Sequence, residues 1–216
     1  MRPRTVPLYI PREDRELVTA LTSNTPLPNS MIVTSRVPPP KSTTAILRSW
    51  PVRRNPRGRE LGVARAITVT AAGRRHPLLA MRPSVFDALC SHIDELEQLP
   101  PGAEVLARNE LCAVQALALE LPSGSIFFGT QYHPEFTLSV SAGLIEMRAA
   151  NLVAEGFGRD CAELVAMARD FRALDAEPGR RDLAWRYGIG PEILYPVRRT
   201  AEIGNWLWEV RKISSS

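Results

Sequence analysis

Gly129-Thr130-Gln131-Tyr132-His133-Pro134-Glu135-Phe136 is the stretch on which the reading of this chain turns. It follows an apolar run, Ser125-Ile126-Phe127-Phe128, with the length and residue types of a buried strand. His133 stands where that strand should end. A residue before proline is pushed towards extended backbone, and Pro134 has its own φ fixed. His133 and Glu135 are therefore expected on a stiff, extended segment with both side chains on one side. An imidazole beside a carboxylate is the base half of a nucleophilic site. The carboxylate fixes the tautomer and steadies the imidazolium while the ring takes a proton from a nucleophile. For His-Pro-Glu taken alone, a surface pair at a strand end is the competing reading.

The surroundings favour the chemical reading. Gly-Thr-Gln-Tyr-His-Pro-Glu-Phe resembles the closing motif of class I glutamine amidotransferases. Other stretches fall in that family's order and spacing: Asn55-Pro56-Arg57-Gly58-Arg59-Glu60-Leu61-Gly62-Val63-Ala64-Arg65, Val85 to Glu95, Leu99-Pro100-Pro101-Gly102-Ala103 and Ala113-Val114-Gln115-Ala116. Stand-alone, GMP-synthase-like glutaminase domains are the nearest likeness, over about residues 55 to 216. The resemblance implies an α/β domain with the flavodoxin-like fold of that family. Its C-terminal half is recognisable here, followed by a C-terminal α-helical extension. It implies hydrolysis of glutamine and transfer of the amide nitrogen, with His133 as general base and Glu135 as its orienter. Ser91, His92 and Asp94 would lie near the glutamine pocket. No cofactor and no metal is implied. Glutamine would be the small-molecule partner, with an acceptor substrate or synthetase that the sequence does not identify.

That chemistry needs a thiolate on a tight strand–helix elbow, Gly-x-Cys-x-Gly, where a Cβ in place of either glycine would clash. Of the 13 glycines only Gly58 and Gly62 stand four apart, and Glu60 lies between them. None of Cys90, Cys112 and Cys161 is in an elbow. Cys90 and Cys112 fall on strand-like segments and read as small buried hydrophobes, although Ser91-His92 after Cys90 makes it a second candidate. In the family, the half before Asn55 supplies the first parallel strands, the oxyanion-hole glycines and the elbow, and residues 1–54 match none of these. The expectation is a chain inactive by the family's route. The alternative is a non-catalytic amidotransferase-like binding or regulatory module, or a truncated gene product.

The 216 residues fit one large domain or a domain with an appendage. No apolar run approaches the roughly 20 residues needed to cross a bilayer, and Met1 opens no signal peptide. Three cysteines without paired spacing argue against a disulfide framework or a metal site and for a cytoplasmic setting. The basic pI of 9.3 belongs to the front of the chain. Residues 1–60 carry 11 Lys and Arg against 4 Asp and Glu, whereas residues 61–216 carry 16 against 19. Ten of the 19 prolines lie in residues 1–57. Residues 1–54 therefore read as a disordered Pro/Arg-rich segment, apart from a short helix over Arg12–Leu21 and a short strand over Met31–Val33. Binding of nucleic acid through Arg36, Lys41, Arg48, Arg53, Arg54, Arg57 and Arg59 is not expected, because no aromatic interleaving accompanies them. The Arg-over-Lys bias, 25 to 2, fits GC-rich coding, so residues 1 to about 54 are expected to be either an out-of-frame remnant of the missing half or an unrelated start fused to it, with a genuine basic extension as the competing reading.

Residues 55–157 are expected to be the C-terminal half of the amidotransferase domain and residues 158–216 the helical extension. Val63–Thr70 alternates as a half-buried strand ended by a turn at Ala72-Gly73. Strands are also expected at Val85–Leu89, Glu104–Ala107 and Ala113–Leu119, with Pro122-Ser123-Gly124 turning into the site strand. Thr137 caps a helix with Leu138, Ala142, Ile145, Ala149 and Leu152 on one face and Gly156 at its exit. Asp160 and Glu163 form a capping-box variant for a helix buried through Leu164, Val165, Ala168 and Phe171. A last helix begins near Thr200 and carries Ile203, Trp206, Leu207 and Val210, and the tryptophans of the tail from Asp182 onward are expected to serve packing.

Overall fold

The computed structural model describes residues 50–120 and 126–214, with side chains as far as Glu209. The expectations for Arg12–Leu21, Met31–Val33, Pro122–Gly124 and the Val210 side chain lie outside the described residues. So does most of the segment expected to be disordered.

Seven strands are described: β1 (Val52–Arg54), β2 (Glu60–Val69), β3 (Val85–His92), β4 (Asp94–Leu96), β5 (Glu104–Arg108), β6 (Ala116–Glu120) and β7 (Ile126–Thr130). Five of them form one antiparallel sheet in the order β3-β2-β5-β6-β7, and β1 pairs with β4 in a small second sheet. The parallel strands of a flavodoxin-like sheet are not among the described residues. The long strand β2 organises the main sheet, pairing with β3 on one side and β5 on the other. Its alternation would put every later side chain on the wrong face were it not for a bulge between Ala64 and Ile67, where Ala66 takes φ 50°. The extra residue keeps Ala64, Ile67 and Val69 all buried. Asp87 holds the bulge by accepting from the Ala66 N–H at 2.8 Å and the Arg65 guanidinium at 2.7 Å.

The sheet curls until its two edges meet. Beyond β7, Tyr132 pairs with Cys90 of β3, and the His133 N–H donates to the Leu89 carbonyl at 2.7 Å. Closure of this kind uses edge groups that would otherwise be open to another chain. Inside the curl lies a core of Ala64, Ile67, Phe86, Cys90, Leu106, Phe128 and Tyr132, with Trp206 packed against it. A second core on the other side of β3 joins Leu89 to the helices.

Those helices are α1 (Ala71–Arg75), α2 (Leu138–Met147), α3 (Ala149–Ala154), α4 (Cys161–Ala176), α5 (Arg181–Arg186), α6 (Pro191–Leu194), α7 (Pro196–Arg199) and α8 (Ala201–Ser214), with a 3₁₀ turn at Pro77–Leu79. Helix α1 replaces the turn expected at Ala72-Gly73. Thr70 caps it by accepting from the Gly73 N–H at 3.0 Å, and a Cβ on Gly73 would stand 2.1 Å from the Leu106 carbonyl oxygen. Thr137 caps α2 through the Val140 N–H, and the expected face from Leu138 to Leu152 is buried, running on into α3 past a break at Arg148. Gly156 ends α3 at φ 83°, a left-handed conformation that disfavours other residues.

Asp160 caps α4 by accepting from the Glu163 N–H at 2.8 Å, but the Glu163 carboxylate returns to the Arg159 N–H rather than to Asp160. The buried stripe of α4 is Leu164, Ala168, Phe171 and Leu174. Val165, expected within it, is exposed because it lies one residue, about 100°, off that stripe. The expectation of packing tryptophans fails at Trp185, which is 88% exposed, and at Trp208, while Leu207 is also exposed. Two expected borders fall inside packed structure. Strand β1 lies before the 54/55 border yet pairs with β4. Across the 157/158 border, Leu164, Phe171, Leu174 and Ile193 share one core with Leu89, Leu138 and Leu152.

Candidate functional site

The end of β7 is held by its neighbours at nearly every residue. Thr130 donates its hydroxyl to the Tyr132 carbonyl at 2.9 Å, and the Gln131 N–H donates to the Gln115 carbonyl at 2.9 Å. The Gln131 side-chain amide donates to the Asp94 carbonyl at 3.1 Å. His133 then stacks its ring on Phe136, with centroids 3.8 Å apart. His133 Nδ1 and Glu135 Oε1 lie 2.7 Å apart, with the imidazole buried and the carboxylate side chain 41% exposed. The expected extended segment is in fact a turn. The Phe136 N–H donates back to the His133 carbonyl at 3.2 Å, with Pro134 where its fixed φ suits a turn. The turn, not the i, i+2 spacing of a strand, brings imidazole and carboxylate together. Donation from Nδ1 to Glu135 leaves Nε2 as the basic nitrogen of the ring.

Closure of the sheet puts the Ser91–Asp94 segment beside this turn. Ser91 Oγ accepts from the Arg148 guanidinium at 2.7 Å. The His92 side chain points into the interior, 1% exposed, and its Nε2 lies 2.9 Å from Glu60 Oε2. The ring is thus enclosed among polar side chains rather than open to the surface. Asp94 lends its carbonyl to Gln131 and lies 3.3 Å from His92 Nδ1. Glu60 also accepts from Gln115 Nε2 and from Asn109 Nδ2, each at 2.6 Å. Asn55 ties the same region by donating its backbone N–H to the Ile93 carbonyl and its side-chain amide to the Leu111 carbonyl. Gln115 Oε1, also buried, has no hydrogen-bond partner among the described residues.

On the inner side of the curl a second buried network holds Tyr132. Its hydroxyl donates to Glu202 at 2.6 Å, and the Arg82 guanidinium donates to both oxygens of that carboxylate at 2.7 and 2.6 Å. Arg82 also lies over the Phe86 ring at 4.6 Å. Burial works against the charge on Arg82, but the Glu202 carboxylate outweighs it and holds the pKa above the ordinary arginine value. Burial and then Glu202 push the Tyr132 phenol well up.

Of the three thiols, two are buried. Cys90 faces the inner core, on the side of β3 opposite Leu89, and burial and Glu60 hold it well above the ordinary thiol range. Cys112 is fully buried, its Sγ 3.3 Å from the Val114 carbonyl, and burial pushes it up to about 12. Cys161 is exposed on the first turn of α4. Among the described residues no three or more His, Cys, Asp or Glu side chains stand together to hold a metal ion, and no helix is long and apolar enough to cross a membrane.

Sequence reasoning missed Glu60, Arg82, Arg148 and Glu202. Each meets its partner across at least 32 residues of chain, and no local pattern marks it.

A buried imidazole tied to a carboxylate on a turn at a sheet edge is an arrangement able to accept a proton. The sequence around it is similar to a known family: residues 51–149 match the model of the family described as Glutamine amidotransferase class-I. A γ-glutamyl-L-1-hydroxyisopropylamide hydrolase from a Pseudomonas species is 40% identical over 98 residues, 45% of this chain and 32% of that one. A subunit of the glutamine-hydrolyzing GMP synthase of Methanocaldococcus jannaschii is 33% identical over 82 residues, 36% of this chain and 42% of that one. The chain thus matches less than half the length of either relative. The crystal structure of a glutamine amidotransferase from Thermotoga maritima aligns with a TM-score of 0.46 and 16% identity, over 77% of this chain and 56% of that one.

Proposed function

We propose that this chain carries the base side of a site for γ-glutamyl amides, glutamine among them, and does not by itself break their amide bond. His133 is the general base, and Glu135 holds its tautomer and steadies the imidazolium. Ser91 and Asp94 flank the bound substrate, and His92 positions that segment from behind through Glu60. The observation that carries the reading is the 2.7 Å contact between the buried His133 Nδ1 and Glu135. The γ-glutamyl amide class is supported by the names of the two relatives, one a hydrolase of a γ-glutamyl amide and the other glutamine-hydrolyzing. An acceptor substrate or a synthetase chain would take the nitrogen.

The lack of hydrolysis rests on the thiols. Two are buried with raised pKa values, and the third lies outside any Gly-x-Cys-x-Gly elbow. The test has two arms on the purified chain: ligand-observed NMR for binding of L-glutamine, and a coupled assay for ammonia release. Binding without ammonia above background is expected. Absence of binding overturns the site. Ammonia release abolished both by His133→Ala and by thiol alkylation overturns the inactivity and makes one of these thiols the nucleophile.

A further inference from the structure

We propose that Arg148 and Ser91 form the subsite for the α-carboxylate of a γ-glutamyl amide whose side-chain amide lies at His133. This rests on the γ-glutamyl reading above and adds to it the residue that selects the amino-acid end.

Arg148 stands at the break between α2 and α3, half-buried, with one guanidinium N–H on Ser91 Oγ at 2.7 Å. Arg53, Arg59, Arg65 and Arg82 each have a carboxylate within ion-pair distance, and Arg148 has none among the described residues. The nearby carboxylate, Glu155, is already held by Arg59 through two hydrogen bonds at 2.6 and 3.1 Å, and Arg54 acts on it as well. Three guanidinium groups thus share one acid. Burial, and then the charge on Arg59, lower the pKa of Arg148, only partly offset by Glu155. A partly desolvated guanidinium with donors to spare binds a carboxylate in the two-pronged geometry that suits both groups.

The placement matches the ligand. Ser91 lies two residues beyond Leu89, whose carbonyl holds the His133 N–H. Alternate strand residues share a face, and two residues advance about 6.6 Å. Leu89 packs in the helix-side core, so Ser91 faces the same side, where Arg148 meets it. His133 stacks on Phe136, which packs against that same core. Base and guanidinium therefore lie on one side of β3, bonded to strand positions, Leu89 and Ser91, that are one strand repeat apart. In a γ-glutamyl amide, four carbon–carbon bonds of about 1.5 Å separate the amide carbon from the carboxylate carbon, an extended reach of about 5 Å.

Calorimetric titration of the full chain with L-glutamine and with L-glutaminamide tests this, because the two differ only at the α-carboxylate. The unaltered chain should bind L-glutamine at least about ten-fold more tightly, the usual worth of a hydrogen bond to a charged group. Arg148→Met should weaken L-glutamine by a similar factor and leave L-glutaminamide unchanged, with Arg148→Lys in between. A merely structural role for Arg148 would weaken both ligands together. If the unaltered chain binds both ligands equally, or Arg148→Met keeps the preference, the subsite is overturned while the γ-glutamyl site stands. If neither ligand binds, both readings fall. The comparison on the unaltered chain decides the matter even if a variant does not fold.

Discussion

The Tyr132 hydroxyl and the Glu202 carboxylate, 70 residues apart in the chain, lie 2.6 Å apart in the core. Tyr132 immediately precedes His133, and Glu202 sits in the first turn of α8, well beyond the family-matching segment that ends at residue 149. The last helix therefore helps to support the candidate site.

Removing the Glu202 charge leaves Arg82 buried without its acid. Glu202→Ala should cost about 3–5 kcal/mol of unfolding free energy, measured by urea denaturation. The double variant Arg82→Met/Glu202→Leu should recover much of that loss, since a packed apolar pair replaces a buried ion pair. A loss below about 1 kcal/mol in the single variant would show that the pair does not hold α8.

Glu60 accepts from two buried side chains, His92 and Gln115, and from the half-buried Asn109, which also donates to the Arg65 carbonyl. Glu60→Ala takes this acceptor from the two buried groups, so a loss of at least about 2 kcal/mol is expected, at roughly 1–3 kcal/mol for each. Glu60→Gln should cost less, because one carbonyl oxygen remains to accept. Equal losses for the two variants would argue that Glu60 acts by packing alone.

Thiol chemistry should separate the three cysteines. With Ellman's reagent the folded protein should release one equivalent quickly, from Cys161, and three only in denaturant. Cys161→Ser should abolish the fast phase. A fast equivalent that survives this change would mean that Cys90 or Cys112 is reachable, and the case against either as nucleophile would be lost.

High pH should unfold the protein in a defined window. The Cys112 thiol is raised from 9.0 to about 12, chiefly by burial. A folded pKa above the unfolded one gives stability that is complete below about pH 9 and lost as the pH climbs towards 12. Tyr132 adds the same sign from about pH 10 upward. Each such group takes away about 1.4 kcal/mol per pH unit while it ionises only in the unfolded chain. Cys112→Ala should therefore have the shallower decline between pH 9 and 11. Parallel curves would refute the assignment.

What the sequence by itself determined is local or carried by a motif. The caps at Thr137 and Asp160 act within three residues, and a 3.6-residue repeat marks the buried face from Leu138 to Leu152. His133 and Glu135 are two residues apart, so their pairing was legible even though a turn makes it rather than a strand. Tertiary structure alone decided the surroundings. Whether His92 faces a ligand or the interior depends on β2 bringing Glu60 opposite it, and the register of two strands 32 residues apart is not written in either of them. The bulge at Ala66 shifts the inward and outward alternation, which a strict two-residue period cannot foresee. Arg148 meets Ser91, and Glu202 meets Tyr132, only because the sheet curls shut and the helices pack on both of its sides. These are long-range contacts between polar groups, and polar groups leave no hydrophobic period in the sequence to announce them.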